Sequence, residues 1–287
     1  MTPAELEERR LGIGGSDIPA ILGLSKSRTP LRVWLEKLGE VPDEDNEAMW
    51  WGRGLEPLIL RRYSTDTGWP VYPGRAIVDP ARPWHRGTID GEVSAEHAGV
   101  RVLLEAKSCG ILGYSTKDFG PEGSDHVPDT YWTQCQWYLS LDAWDACHLL
   151  ALIAGRGLVR YVIPPDVEFQ RWMLDIAGQW WERFIVGGQE PDVDWSDDCA
   201  RWLARKHPKP VRERFRDSDK ATDAIVAAYR DAHERKKAAE RDEDEARNHL
   251  RATIGDDPGV IGEWGKANWF KTKTGRTLKV TLKGEPE

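Results

Sequence analysis

The chain has no apolar run of membrane-spanning length. Its first residues, Met1-Thr-Pro-Ala-Glu-Leu-Glu-Glu8, lack the basic and apolar regions of a signal peptide. A cytoplasmic location and no membrane partner are expected. Only four cysteines occur, Cys109, Cys135, Cys147 and Cys199, and none stand in Cys-x-x-Cys spacing. That scatter argues against a disulfide framework or a zinc site. It also gives no support to an iron–sulfur cluster, which needs four converging thiolates. No internal repeat is present. Positive charge is not in excess either: 40 Lys and Arg face 48 Asp and Glu, a net charge of −8. A generally adhesive nucleic-acid binder would carry the opposite balance.

What the chain does have is length for one large core plus an appendage, with 40% hydrophobic and 31% charged residues. Residues 1–200 read as one domain. Helical patterns at Asp17–Leu22 and Pro30–Leu38 precede a helix expected to begin near Gly54, with Pro57 in its first turn, and to run through Thr67. Strands are expected at Val71–Val78, His85–Asp90 and Arg101–Lys107. A loop with Gly110, Gly113, Gly120, Pro121 and Gly123 follows, open to movement beside the site, and then a helix around Gln134. Apolar runs Asp145–Ile153 and Leu158–Ile163 flank Gly155-Arg-Gly157, a hairpin signal. A helix over Asp166–Val186 closes the domain. The class is α/β, a mixed central sheet flanked by helices.

Residues 201–217 read as a basic, Pro-containing linker. Arg201 to Arg216 hold seven Lys or Arg against one Glu. The patch either neutralises backbone phosphates or balances Asp194, Asp197 and Asp198. Residues 218–287 read as a helix capped by Ser218 or Asp219 and stopped at Gly255, then a β-hairpin turning at Thr274-Gly275. Apolar positions from Ile225 to Leu250 alternate four and three apart, but Lys236 and Glu243 intrude. A solvated or partner-packed helix fits this better than an independent coiled coil.

Chemistry concentrates at three short pieces. In the apolar run ending Glu105-Ala-Lys107, positions i and i+2 point to one side of a strand, so Glu105 and Lys107 share a face. Asp90, at a Gly turn in Thr88-Ile-Asp90-Gly91, supplies a second carboxylate, and Glu56 stands upstream in Trp51-Gly-Arg-Gly-Leu-Glu56. Paired carboxylates suit hard divalent cations, and a neighbouring lysine can orient or deprotonate water. Glu-x-Lys alone is weak; it recurs at Glu234-Arg-Lys236 in a charged helix. Tyr131-Trp-Thr-Gln134-Cys-Gln136-Trp-Tyr138 adds a fourth piece, with Gln134 and Tyr138 on one helical face.

With these motifs in order, together with Arg9-Arg-Leu-Gly-Ile-Gly-Gly-Ser16-Asp17, the chain resembles the lambda exonuclease and YqaJ viral recombinase family. That family lies within the PD-(D/E)xK nucleases, whose fold is restriction-endonuclease-like. The resemblance runs from about Arg9 to Pro191. It implies Asp90, Glu105 and the Ala106 carbonyl as metal ligands, Lys107 positioning water, Glu56 serving a second metal, and Gln134 supporting the site. It implies Mg2+, with Mn2+ an alternative, and two ions. Arg9 or Arg10, Ser16, Thr88 and Tyr138 are the candidates for a 5′-phosphate and DNA, helped by the amides of a helix start at Ser16-Asp17-Ile-Pro19. The expected activity is digestion of linear double-stranded DNA from its ends, 5′ to 3′, leaving single strand for recombination. A homotrimer and a single-strand annealing protein are the implied partners. If the chain is phage-encoded, its compartment is the host cytoplasm. Rival readings are a RecB-like nuclease on single-stranded or branched ends and a non-catalytic DNA-end-binding protein. Two departures stand out: Thr88 replaces a serine, and an arginine expected after the Glu-x-Lys strand has no counterpart, with Gly113 near that place and Lys117 the nearest cation. Most of the fifteen tryptophans should be core, and one exposed at the mouth of the site can stack on an unpaired base.

Overall fold

Apolar runs become strands and amphipathic stretches become helices in the computed structural model, which describes residues 3–41, 47–109, 117–154, 156–209, 215–272 and 275–283. Two compact units result, Met1–Pro208 and Lys209–Glu287. The first contains α1 (Pro3–Arg10), α2 (Ile18–Ile21), α3 (Pro30–Lys37), α4 (Glu47–Thr67), β1 (Tyr72–Pro73), β2 (Ala76–Asp79), β3 (Arg82–Thr88), β4 (Gly91–Val93), α5 (Ala95–Ala98) and β5 (Val102–Cys109). It continues with α6 (Asp129–Leu139), β6 (Ala146–Ile153), β7 (Gly157–Ile163), α7 (Val167–Trp180), which runs on as one wide turn over Trp181–Val186, and α8 (Asp197–Lys206).

Five strands form a sheet in the order β1-β4-β5-β6-β7, with β5 central. The β5–β6 pair is parallel and the others antiparallel. A parallel pair needs a crossover, and the chain between β5 and β6 supplies it with α6. The period of two along β5 divides its residues between two cores. Val102 and Leu104 pack with Ile59 and Tyr63 of α4, while Leu103 joins Trp34, Trp137 and Met173 on the opposite face. Both faces are therefore covered, and a charged side chain on β5 is forced into the interior. The mixed sheet and its flanking helices are those expected. A separate ribbon pairs β2 with β3.

Several local readings change. Helix α4 begins by Glu47, so Pro57 lies in its interior. Such a proline costs one helical hydrogen bond, and the burial of Ile59 and Tyr63 against the sheet holds the turn in place. Arg201–Lys206 is helix rather than linker. Ser196 caps α8 by accepting from the Cys199 amide, and Cys199 and Trp202 sink into the main core, where Trp202 meets Trp34 edge-on at 5.5 Å. Val71–Val78 is two short strands broken at Gly74. Gly110, Gly113, Gly155 and Thr274 lie outside the described residues. The far part of the glycine-rich loop is pinned: Gly123 N–H donates to the Arg160 carbonyl, and the Phe119 ring stacks on Tyr161.

In the second unit, α9 (Lys220–Ile254) is capped by the Asp219 side chain and ends at Gly255, whose φ of 53° suits glycine. Ile225 and Tyr229 on α9 are exposed. Three strands follow, β8 (Gly259–Gly262), β9 (Gly265–Thr272) and β10 (Gly275–Leu282), in the order β10-β9-β8. The hairpin was legible; β8, only four residues between glycines, was not. No helix among the described residues is long and apolar enough to cross a membrane.

One buried ion cluster fixes the N-terminal segment. Asp17 receives Lys37 Nζ at 2.6 Å, Arg28 Nη2 at 2.7 Å and the Gly14 amide at 2.9 Å. Burial opposes the Asp17 charge, but Lys37 and Arg28 outweigh it and hold the carboxyl well below the usual carboxylate range. Asp17→Ala leaves Lys37 buried without its anion and should destabilise the fold by roughly 3–5 kcal/mol in urea denaturation. Because the folded pKa is depressed, this stabilisation is full above about pH 4 and fades as pH falls toward the folded value. The stability gap between wild type and Asp17→Ala should therefore narrow on acidification. A gap that stays constant with pH would refute this role for Asp17.

Candidate active site

Strand β4 pairs with β5 only as far as Gly91 opposite Leu104. Beyond Leu104 the edge of β5 has no β4 neighbour, and Asp90 takes the place of one: its Oδ2 accepts the Ala106 amide at 2.7 Å. A strand residue presents its N–H and C=O to the same edge, so the Ala106 carbonyl shares that edge with Asp90. Asp90 thus sits where a strand stops and a turn begins.

Glu105 follows the period of β5 onto the α6 side and is almost fully buried. Its Oε1 accepts from Lys107 Nζ at 2.6 Å and from Gln134 Nε2 at 2.8 Å. The same amide donates to the Tyr138 hydroxyl at 3.1 Å, one helical turn along α6. Glu105 Oε2 is buried and has no hydrogen-bond partner. Lys107 Nζ also lies 5.3 Å from the Tyr131 ring centre.

The electrostatics follow from burial among like charges. Burial, then the neighbouring Asp90, pushes Glu105 up to about 8 against the pull of Lys107. Burial and Asp90 likewise push Glu56 up to about 7. Burial raises Asp90. Burial works against the Lys107 charge, but Glu105 and Asp90 overcome it and raise the ammonium pKa. Three carboxyls that resist ionisation together form a place where added positive charge is welcome.

Among the described residues, no three His, Cys, Asp or Glu side chains converge closely enough to hold a metal ion by themselves. The candidate donors are the Asp90 and Glu105 carboxylates and the Ala106 carbonyl, all oxygen and all hard, which fits a magnesium-class ion. The unpartnered Glu105 Oε2 is the atom such an ion would satisfy.

Glu56 and Asp90 face a cleft of about 690 Å3, which Arg9, Ser16, Thr88 and Tyr138 also line. Arg10 is not on it. Its Nη1 reaches Glu7 at 3.2 Å, so of the two candidate arginines Arg9 is the one that lines the cleft. The expected helix-start anion site changes character. Helix α2 is a single turn, and Asp17 makes no cap bond because its side chain turns inward to Lys37 and Arg28. One turn carries little dipole, so the segment offers the cleft Ser16 and the backbone around Gly14 and Gly15. Gly15 is needed for space. A Cβ on Gly15 would lie 2.5 Å from Tyr138 Cζ, and one on Gly87 would lie 2.6 Å from Tyr138 Cε1. The Tyr138 ring is thus seated between the two.

Sequence reasoning missed Arg53 and Arg86, which also line the cleft. Arg53 stands one turn before Glu56 on α4, a helical neighbour that the i, i+3 rule would have flagged had the helix been started early enough. Arg86 lies two residues before Thr88 on β3, so the period of two was its available signal; it donates to the carbonyls of Glu8 and Pro83. The exposed tryptophans nearest the site in sequence are Trp50 and Trp51, beside the cleft-lining Met49.

Comparison with known proteins agrees with this geometry. Residues 6–142 match the YqaJ-like viral recombinase domain. Over 285 residues the chain is 27% identical to the uncharacterized protein YqaJ of Bacillus subtilis, spanning 98% of this chain and 86% of that protein. Among solved structures it is similar to the alkaline exonuclease LHK-Exo of Laribacter hongkongensis, with 17% identity and a TM-score of 0.50, covering 71% of this chain and 98% of the enzyme. A second structure of LHK-Exo, in complex with dAMP, gives 18% identity and a TM-score of 0.51 over the same shares. At that identity the likeness speaks for the fold. Asp90, the carboxylate-bearing strand β5, the glutamine helix and the N-terminal glycine segment all fall inside residues 6–142, the part of the chain that matches the YqaJ-like viral recombinase domain.

Proposed function

We propose that this protein is a metal-dependent deoxyribonuclease that digests linear duplex DNA from its ends, 5′ to 3′, and leaves single strand for recombination. The observation that carries the reading is the buried, unpartnered Glu105 Oε2 beside Asp90. The large majority of buried carboxylate oxygens are hydrogen-bonded; Asp194 Oδ2 is the other exception among the described residues, and it lies outside the cleft-lining set. Asp90, Glu105 and the Ala106 carbonyl would hold one Mg2+, and Glu56 a second. Bound there, the ion supplies Lewis acidity, lowering the pKa of water and neutralising charge on the phosphate.

The chain's own groups do the rest. Lys107, held by Glu105 and kept protonated by the two carboxylates, donates to the attacking water and fixes its approach. The water oxygen bonds to phosphorus as the P–O3′ bond breaks, the water giving up a proton to solvent and the departing O3′ taking one from solvent to leave as a 3′-hydroxyl. Gln134 keeps Glu105 oriented by its amide and is itself held by Tyr138. Arg9, Ser16 and Thr88 would receive a terminal 5′-phosphate, where charge-assisted contacts are the stronger ones. A ring-shaped trimer and a single-strand annealing partner complete the proposal. The RecB-like and non-catalytic readings lack a specific observation in their favour, since every carboxylate and the lysine are in place.

Asp90→Ala, Glu105→Ala and Lys107→Ala should each abolish Mg2+-dependent digestion of end-labelled linear duplex while leaving the circular dichroism melt cooperative. EDTA should do the same to the wild type. Near-wild-type activity in any one variant would remove that residue from the site. Arg9→Ala should slow digestion of 5′-phosphorylated duplex by roughly ten- to a hundredfold, the loss of a charged hydrogen bond of about 1.5–3 kcal/mol. It should leave 5′-hydroxyl duplex nearly unchanged, and Arg10→Ala should affect neither. Equal slowing on both ends by Arg9→Ala would mean general backbone attraction.

A further inference from the structure

The second unit contains no residue of the candidate active site, and its three-stranded sheet has two unlike faces. Cross-strand partners in a sheet point the same way. Ala267 pairs with Val260 on one side and Val280 on the other, Trp269 faces Leu278, and together with Ile254 and Leu250 of α9 they form the small core of this unit. The alternate positions make the other face. Lys266 stands between Ile261 and Thr281, Asn268 stands opposite Lys279, and Phe270 stands opposite Thr277. That outer face keeps two large apolar side chains in solvent, Phe270 at 55% and Ile261 at 86% exposure. Lys279 Nζ lies 5.9 Å from the Phe270 ring centre.

The face is also charged in one sense: its charged strand positions are Lys266 and Lys279, whereas Lys271 and Arg276 pair with one another on the parity of the core face. The whole chain carries −8, so a face charged in this sense runs against the average. An exposed phenyl ring with an ammonium group 5.9 Å from its centre is a poor use of surface for a free protein. It suits a ligand that presents flat rings and phosphates together. Duplex DNA does not, because its bases are stacked on one another; a single strand does.

We propose that the outer face of the β8–β9–β10 sheet binds single-stranded nucleic acid, with Phe270 as the stacking platform and Lys266 and Lys279 as phosphate contacts. Lys266 and Phe270 are four apart on β9, about 13 Å along the strand, so the two contacts engage different nucleotides. Asn268 and Thr277 between them offer polar groups to sugar and base edges. The assignment of DNA rather than RNA rests on reading the first unit as a deoxyribonuclease, whose reaction leaves such a strand.

The test uses the full chain in EDTA, so that binding is read without cleavage. Fluorescence anisotropy of labelled oligo-dT and oligo-U of about 16 nucleotides, the upper site size of a single-strand-binding fold, gives affinities. Phe270→Ala should weaken oligo-dT binding roughly five- to a hundredfold, the range expected for one stacked base. Phe270→Leu should weaken it too, because the ring and not its apolar area makes the contact. A Lys266→Gln, Lys279→Gln double variant should flatten the dependence of log affinity on log salt by about 1.4, two phosphate contacts on a single strand. A bromodeoxyuridine oligonucleotide should crosslink to the peptide holding Phe270. Wild-type affinity in Phe270→Leu, crosslinks confined to residues before 209, duplex bound as tightly through Phe270, or displacement by poly-glutamate at equal charge would each overturn the proposal. Tighter binding of oligo-U than oligo-dT would overturn the assignment of DNA. Failure of the nuclease reading would show separately, as absence of Mg2+-dependent digestion.

Discussion

A carboxylate on the central strand of a sheet covered on both faces has to be neutralised, saturated with donors or left wanting a cation. Glu105 is in that position because β5 is sandwiched between α4 on one side and α6 with α7 on the other. One of its oxygens takes Lys107 and Gln134; the second takes nothing. The surrounding sequence can be read from that atom outward. The parallel β5–β6 crossover brings Gln134 over the strand, the early end of β4 leaves an edge for Asp90, and two glycines make room for the tyrosine that steadies the glutamine.

Asp17 shows what a purely structural solution looks like in the same unit. It is as deeply buried, yet Lys37, Arg28 and the Gly14 amide satisfy both its oxygens. The two carboxylates respond in opposite directions: Asp17 is held well below the usual range, whereas Glu105 rises to about 8. Burial acts alike on both. What differs is the company, two cations for Asp17 against one cation and a second carboxylate for Glu105. A buried acid whose neighbours fail to stabilise its charge is costly to stability, and such sites concentrate where function demands them.

The features legible in the sequence were those set by local periodicity. Glu105 and Lys107 on one face of a strand, and Gln134 and Tyr138 one helical turn apart, are consequences of spacings of two and four, and both pairs meet as expected. The Asp219 cap and the stop at Gly255 were readable for the same reason. What escaped depended on packing at a distance. The turn of α4 through Pro57 is held by Ile59 and Tyr63 against the sheet, and starting the helix at Gly54 hid Arg53. Residues 201–206 looked like linker because their charge is on the surface, while Cys199 and Trp202 on the inner face hold α8 to the core. No rule of spacing could choose between Arg9 and Arg10, since adjacent residues on a helix point about 100° apart and either could have faced the cleft.

The distribution of charge ties these features to the acidic balance of the chain. Arg9, Lys37, Arg53 and Arg86 line the same cleft as Glu8, Asp17, Glu56 and Asp90, and Lys37 is paired with Asp17, so cations and acids are interleaved in the cleft. In a concave, partly apolar wall such a cluster is felt more strongly than the same charges spread over a surface. The carboxylates inside it then have a double role. They lower the positive potential of the cleft, and on the proposed reading they would reserve the place beside Glu105 for a divalent cation. A site with the arginines alone would bind phosphate wherever it met it. On the proposed reading, Asp90 and Glu105 behind them would make productive occupancy conditional on the ion and so couple binding of the strand to the chemistry performed on it.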